Sequence, residues 1–167
     1  MTRGTARRHF LATLAGVPLL AACGKSKPFA AIGERFPDFS LVDIDGRPHD
    51  RTAYAGRPLA VNFWATWCPP CRAEMPDLEQ TRRQHADRGL QVLGISIDED
   101  PNPVREFRLR IPVEFPLLLD TDRQLTNALG VFSFPTTFLV SRQGLVTEVL
   151  VGPRPWPDYP GIAALLA

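Results

Sequence analysis

The chain has 167 residues, of which 44% are hydrophobic, 22% are charged and three are cysteines, and its formal net charge is +1. This length accommodates one domain with a substantial core, and three cysteines are too few for a small fold stapled by several disulfides. The nearly neutral charge argues against a nucleic-acid-binding protein, which normally carries a basic surface.

The first residues have the pattern of an export signal. Three arginines precede an apolar stretch from Phe10 to Leu20, which is well short of the ~20 residues of a membrane-spanning helix. The pair Arg7-Arg8 resembles the twin-arginine export motif of bacteria, and a general secretory signal with a chance arginine pair is the alternative.

Residues 20–23, Leu-Ala-Ala-Cys, resemble the lipobox of bacterial lipoprotein precursors. The resemblance implies that residues 1–22 are a signal peptide and that Cys23 becomes the lipidated first residue; an ordinary signal peptide with an incidental cysteine is the alternative. We predict a tether over 23–36 and the folded domain over 37–167. Without residues 1–22 the chain has 16 basic and 18 acidic residues. We therefore expect an exported protein that is anchored by a lipid to the periplasmic or extracytoplasmic side of a membrane.

The folded part begins with a predicted hairpin, because residues 39–44 alternate in polarity and end at the turn signal Asp45-Gly46. Residues 59–65 are apolar throughout, which is typical of a parallel strand covered on both faces. The other predicted elements are a helix over 69–88, a strand over 90–97, a helix over 103–111, a strand over 115–119, a helix over 123–129, a hairpin of 136–140 with 145–151, and a short helix near 161–166.

Cys68 and Cys71 lie where the apolar strand gives way to the first helix. The dipole and unpaired N–H groups of a helix N-terminus favour a thiolate and lower the cysteine pKa. Cys71 shares helical spacing with Met75 and Leu78, so we predict that Cys71 is buried and that Cys68 lies at an exposed cap. Such a pair can perform thiol–disulfide exchange.

Two other interpretations of the cysteine pair are weaker. A structural zinc site needs four ligands, but outside residues 1–23 the chain offers only Cys68, Cys71, His49 and His85, without a second pair at ligand spacing. A purely structural disulfide would close so short a loop that it gains little entropy. We therefore expect no metal and no cofactor.

The run Trp67-Cys68-Pro69-Pro70-Cys71, the run Phe134-Pro135-Thr136 and the order of elements together resemble the thioredoxin superfamily. More narrowly, the chain is similar to TlpA/ResA-like membrane-anchored thiol–disulfide oxidoreductases, which include cytochrome c maturation reductants. The resemblance covers roughly residues 33–152. It implies an α/β thioredoxin-like fold, with a central mixed β-sheet flanked by helices and an N-terminal β-hairpin extension.

The resemblance also implies roles for individual residues. Cys68 would be the attacking thiolate and Cys71 the resolving thiol, while Pro135 would form a cis peptide bond that faces the pair. Glu74 matches a carboxylate of this subfamily, which manages protons or contacts a partner; the alternative is an acid that complements the helix dipole. The expected substrate-binding and supporting residues are Trp67, Pro69, Pro70, Glu74, Phe134 and Pro135.

Expected partners are protein disulfides or dithiols, for example apocytochrome c or copper-site assembly proteins, and a membrane thiol that donates electrons to a monomeric protein. Asn62 replaces the buried aspartate of thioredoxin itself, so proton transfer must use another group, such as water or Glu74. The Pro-Pro pair between the cysteines adds no charge, which favours a reductase over an oxidase. A copper-binding metallochaperone of the same fold and a thiol peroxidase are the remaining alternatives.

Overall fold

The computed structural model describes Met1 and residues 32–167. Seven strands form one mixed sheet, in which the spatial order is 2-1-5-4-3-6-7. In chain order they are β1 (Ser40–Asp43), β2 (Pro48–Asp50), β3 (Leu59–Trp64), β4 (Gln91–Ser96), β5 (Leu117–Leu119), β6 (Thr136–Val140) and β7 (Val146–Val151). The mixed sheet and the N-terminal hairpin of β1 and β2 are thereby confirmed.

The helices accompany this sheet in the predicted order. They are α1 (Pro69–Gln84), α2 (Asn102–Arg110), α3 (Gln124–Ala128) and α4 (Pro160–Leu166), with 3-10 turns at Arg51–Tyr54 and Trp156–Asp158. Helix α1 ends four residues before the predicted limit of residue 88. The chain turns there instead, with Gly89 at a positive φ of 80° and Leu90 N–H donating to the His85 carbonyl.

Strand β3 lies in the interior of the sheet and positions the cysteine pair. All six of its residues are buried, and it pairs in parallel with β4 and antiparallel with β6. Because side chains alternate along a strand, Ala60 and Trp64 belong to one hydrophobic cluster while Val61 and Phe63 belong to the other. Asn62 is in register with Ala60 and Trp64, so it points to the face that α1 covers.

The folded domain begins before the predicted boundary at residue 37. Gly33 N–H donates to the carbonyl of Val146 at 2.8 Å, and Phe36 N–H donates to that of Gly144 at 2.9 Å. The Phe36 side chain is 1% exposed and packs edge-on against Phe138. Residues 33–36 therefore belong to the domain, because the Phe36 ring completes the second hydrophobic cluster. The predicted signal peptide from residue 2 onward and Cys23 lie outside the described residues.

None of the described helices is long and apolar enough to cross a membrane.

Candidate active site

The cysteine pair follows the carboxyl end of β3. A disulfide joins Cys68, which directly precedes α1, to Cys71 in its first turn. Cys71 has no exposed surface, because it lies on the helix face that packs into the core with Met75 and Leu78. Cys68 is 6% exposed. Cys68 is therefore more buried than the predicted exposed cap, because it packs within the first hydrophobic cluster, but it is the more accessible of the two cysteines.

Two prolines limit the hydrogen bonds available at the start of α1. Pro69 and Pro70 occupy its first two positions and have no N–H. The next N–H groups belong to Cys71 and Arg72, and that of Arg72 donates to the Cys68 carbonyl at 3.1 Å. The Cys71 N–H and the helix dipole therefore remain to stabilise a Cys68 thiolate.

An aromatic pair joins the cysteine loop to the loop before β6. The rings of Trp67 and Phe134 meet edge-on, with centroids 6.2 Å apart. Trp67 is 60% exposed and Phe134 is half-buried. The Phe134–Pro135 peptide bond is cis, as predicted. The contact brings the predicted proline loop next to the disulfide.

Only some backbone groups of the loop that carries Phe134 and Pro135 form hydrogen bonds within the domain. The Pro135 carbonyl already accepts a hydrogen bond from Gly152 N–H at 2.8 Å. Phe134, by contrast, makes no backbone–backbone hydrogen bond within residues 32–167. The N–H and C=O of Phe134 are therefore available to pair with another segment.

Glu74 lies one helical turn beyond Cys71 and is 3% exposed. Oε1 accepts a hydrogen bond from Asn62 Nδ2 at 2.8 Å, while Oε2 accepts from Trp156 Nε1 at 2.9 Å and from Arg154 N–H at 3.3 Å. Burial raises the pKa of Glu74, and these hydrogen bonds only partly oppose the rise. Burial of Glu74 among these donors, beyond the first turn of α1, favours the predicted role in proton management over that of an acid that complements the helix dipole.

Asn62 completes a small polar network inside the domain. Its Nδ2 donates to Glu74 and, at 2.9 Å, to the Thr137 hydroxyl, whereas its Oδ1 has no hydrogen-bond partner among the described residues. An unpaired buried oxygen is costly, and rotation of the amide would turn it toward Glu74. The network thus has an acceptor for the O–H of a protonated Glu74.

The chain is similar to known proteins over most of its length. The sequence model of the AhpC/TSA family matches residues 32–149. Thiol-disulfide oxidoreductase ResA of Geobacillus thermodenitrificans is 35% identical over 154 residues, which cover 87% of this chain and 88% of that protein. ResA of Bacillus subtilis is 32% identical, with coverage of 87% and 86%.

A solved structure agrees with these relatives. The thiol:disulfide interchange protein of the thioredoxin family from Chlorobium tepidum superposes with a TM-score of 0.74 at 34% identity, covering 82% of this chain and 99% of that one. The chain belongs to the AhpC/TSA family. Its relatives and its disulfide place it among the ResA-like thiol–disulfide oxidoreductases of thioredoxin-like fold, which confirms the predicted fold and enzyme class.

In this ResA-like chain the sequence did not reveal how the loop before Trp67 is held. Asp98 is 5% exposed and accepts hydrogen bonds from the Thr66 N–H at 3.0 Å and the Thr66 hydroxyl at 2.7 Å. Ser96 Oγ also donates to Asp98, at 2.7 Å. An aspartate directly after a buried strand, at the carboxyl edge of the sheet, was the signal available.

The sequence also did not reveal that the proline-rich tail supplies a residue to the surroundings of Glu74. Trp156 is fully buried, and its ring nitrogen reaches Glu74 across 82 positions of sequence. A lone tryptophan among four prolines was the available signal, since such a large apolar side chain is seldom left in solvent.

A cavity of about 460 Å³ opens beside the start of α1. Its lining includes Thr66, Pro69, Arg72, Phe107 and Arg110. Within the described residues, no three His, Cys, Asp or Glu side chains are grouped closely enough to hold a metal ion.

Proposed function

We propose that this ResA-like oxidoreductase reduces disulfide bonds of other proteins on the extracytoplasmic side of a membrane, with Cys68 as nucleophile and Cys71 as resolving thiol. The observation that carries the proposal is the unequal burial of the two bonded cysteines. Cys71 has no exposed surface, whereas Cys68 is 6% exposed and follows the exposed Trp67. Cys68 is therefore the cysteine that a partner reaches first.

The proposed reaction begins with the reduced protein. The Cys68 thiolate attacks one sulfur of a substrate disulfide, forms a mixed disulfide and releases the other substrate sulfur as a thiolate, which takes up a proton. Cys71 then loses its proton and attacks the Cys68 sulfur, which releases the second substrate thiolate and forms the Cys68–Cys71 disulfide. Two electrons pass to the substrate, and a dithiol donor in the membrane must reduce the protein again.

Glu74 is the proposed acceptor of the Cys71 proton. It lies one helical turn from Cys71, and its raised pKa lets the carboxyl exchange a proton closer to neutral pH than an ordinary glutamate. Asn62 cannot take this role, because an amide does not titrate. After rotation of its amide, the unpaired Oδ1 of Asn62 would give the protonated carboxyl a hydrogen-bond acceptor.

We infer the direction of electron flow from the few hydrogen-bond donors at the start of α1. Strong oxidants of this fold stabilise their reduced form. Here Pro69 and Pro70 remove two N–H donors from the helix start, and the motif has no histidine between the cysteines. A thiolate with fewer donors makes the dithiol form less favourable and the protein a better reductant.

Substrate binding is assigned to the surface around the disulfide. Phe134 supplies free backbone groups to an extended segment, Trp67 and Phe134 supply apolar contact, and Pro69 borders the neighbouring cavity. Candidate substrates are an apocytochrome c or a copper-site assembly protein. Lipidation of Cys23 would keep the protein at the membrane that holds its electron donor.

A trapping experiment tests the proposed roles. In cells that express the full chain, Cys71→Ser should hold partners on Cys68 as mixed disulfides, visible as dithiothreitol-sensitive bands on non-reducing gels. The matched control is Cys68→Ser, which should hold none, and the double variant sets the background. Equal trapping by both single variants would contradict the assignment of Cys68 as the nucleophile. The purified wild type should also reduce insulin with a thiol donor.

A further inference from the structure

Four arginines surround a small cavity at the end of the domain opposite the disulfide. The cavity has a volume of about 90 Å³, and its lining includes Arg35, Arg51, Arg57 and Arg142. We call these four residues the arginine pole. Leu59 at the amino end of β3 also lines the cavity, whereas Cys68 follows the carboxyl end. Six strand residues therefore separate the two ends by about 20 Å.

Backbone carbonyls hold these side chains together. Arg35 Nη1 donates to the Gln143 carbonyl at 3.2 Å, and Arg142 Nη2 donates to the Arg88 carbonyl at 2.7 Å. A Cβ atom added to Gly144 would lie 3.1 Å from Nη1 of Arg35 and 3.5 Å from Nη1 of Arg51. Two guanidinium groups thus border the same turn, which is an arrangement that an anion stabilises.

The positive charge of the pole is only partly compensated. Arg51 forms a salt bridge with Asp38 at 2.5 Å. No salt bridge connects Arg35, Arg57 or Arg142 to a carboxylate within residues 32–167. Glu34, Asp38 and Asp50 are the acids next to these arginines in the chain, so the four arginines outnumber the acids beside them. The chain after residue 22 has a net charge of −2, so the pole is a positively charged region on a domain that is slightly negative as a whole.

The start of the folded domain is attached at the same end. Gly33 is hydrogen-bonded to Val146, and Arg35 forms an isolated bridge with Leu145, directly after the turn that carries Arg142. Eight residues lie between Cys23 and Ile32, and the nine steps of chain from Cys23 to Ile32 span at most about 30–32 Å. Lipid on Cys23 would therefore keep the arginine pole near the membrane surface.

We infer that the arginine pole binds the phosphate groups of anionic phospholipids in the membrane that holds Cys23. Guanidinium groups match phosphate in geometry and charge, and each basic side chain near an anionic bilayer adds to binding. The contact orients the domain, so that the disulfide about 20 Å away faces the aqueous phase where protein substrates arrive. This inference rests on the lipidation of Cys23 in the proposed function.

Energy transfer on vesicles tests this orientation. The full lipidated chain, with its Cys68–Cys71 disulfide intact, receives one fluorophore at the exposed Ala86→Cys, in the turn beside Arg88 at the same end as the pole, or at Thr121→Cys near the opposite end. Acceptor dye is placed on lipid headgroups of phosphatidylcholine vesicles with or without one quarter phosphatidylglycerol. On phosphatidylglycerol vesicles we expect at least twofold greater transfer from position 86 than from position 121. The ratio should approach one in 0.5 M salt, because salt screens the attraction.

Arginine-to-glutamine variants test whether the orientation depends on the pole itself or on the overall charge of the protein. Replacing Arg35, Arg57 and Arg142 with glutamine should reduce the ratio to about one. Arg57→Gln alone should reduce it in part, and this variant is the safer one for folding, since no side-chain hydrogen bond of Arg57 is found within the described residues. The matched control is Arg110→Gln, which removes one exposed charge outside the pole and should leave the ratio unchanged.

Three results would overturn the inference: equal transfer from both labels in the wild type, an unchanged ratio in the triple variant, or the same ratio on pure phosphatidylcholine. Insulin reduction and the mass of the Cys23 adduct are measured on the same samples. Failure of either contradicts the proposed function separately, while the transfer ratio reports on the pole.

Discussion

The first and second halves of helix α1 each bury a glutamate, and the two lie in opposite electrostatic surroundings. Glu74 is 3% exposed and Glu79 is 5% exposed. Glu79 accepts charged hydrogen bonds from Arg82 and Arg83 at 2.6 Å and receives the backbone N–H of Glu114. The hydrogen bonds to Glu74 come instead from an amide, an indole and one backbone N–H.

This difference decides whether each carboxyl holds its charge. Burial by itself would raise the pKa of both carboxyl groups. For Glu79, the hydrogen bonds from Arg82 and Arg83 outweigh burial and lower the pKa, so it is a fixed anion that ties α1 to the chain before β5. For Glu74, burial prevails and the pKa is raised. The residue next to the disulfide is therefore the one that can carry a proton.

Removal of the Glu79 carboxylate should have the largest effect. Glu79→Ala leaves the partly buried Arg82 and the N–H groups of Glu114 and Phe115 without their acceptor, so we expect the free energy of unfolding to fall by about 3 kcal/mol. Urea denaturation measures this loss. The insulin reductase rate of the folded protein should stay within twofold of wild type. A large loss of rate in fully folded Glu79→Ala would show that the two glutamates do not divide their roles as described.

Glu74→Gln should lower activity with little loss of stability. The variant removes the proposed proton acceptor, and we expect at least a tenfold lower insulin reductase rate at pH 7, because general acid–base groups contribute on the order of 10² or more. The Gln amide can donate to Asn62 Oδ1 after rotation of that side chain, so the fold should tolerate it. A wild-type rate and an unchanged pH–rate profile would rule out the proton-transfer role.

The pH dependence of stability should have opposite signs at the two sites. The raised folded-state pKa of Glu74 gives stability that is fully present below the ordinary value of 4.5 and is lost as pH rises through the folded pKa. The lowered pKa of Glu79 gives stability that is present above 4.5 and is lost as pH falls through the folded pKa. Unfolding free energies of wild type minus Glu74→Gln and of wild type minus Glu79→Gln, measured from pH 3 to 8, should therefore slope in opposite directions. Parallel slopes would contradict the comparison.

Trp156→Phe should change the pKa of Glu74 while leaving the carboxyl group in place. The change keeps an aromatic ring in the core but deletes the N–H that lowers the pKa of Glu74. We expect that pKa to rise further, which moves the corresponding limb of the pH–rate profile to higher pH, and a stability loss of about 1–2 kcal/mol. If the profile of Trp156→Phe in the Glu74→Gln background still shifted, the effect would not pass through Glu74.

The smallest effect should come from an exposed glutamate of α2. Glu106 pairs with Arg110 at 3.3 Å, and both side chains are more than half exposed. Glu106→Ala should change the unfolding free energy by less than about 0.5 kcal/mol, as measured by urea denaturation. It is the matched control for Glu79→Ala on another helix, and a loss as large as that of Glu79→Ala would indicate that burial is not the deciding factor.

The sequence predicted those parts of the fold that depend on residues close together in the chain. The apolar run of β3, the turn after β1 and the helical spacing of Cys71 and Met75 each reflect neighbouring residues. The surroundings of Glu74 could not be predicted this way, because Asn62, Trp156 and Arg154 lie 12, 82 and 80 positions away. The burial of Cys68 and the packing of Phe36 against Phe138 also depend on contacts between distant parts of the chain, which the periodicity of the sequence does not reveal.

Trp67 has a practical consequence for following the reaction. Of the three tryptophans in the chain, Trp64 and Trp156 are fully buried, whereas Trp67 is mostly exposed and is the covalent neighbour of Cys68. Disulfides quench indole emission at close range, so cleavage of the Cys68–Cys71 bond should brighten Trp67 together with Trp64, which packs in the same buried cluster as both cysteines. The molecule therefore contains an intrinsic optical probe of its own oxidation state, and stopped-flow fluorescence can time electron arrival without any added dye.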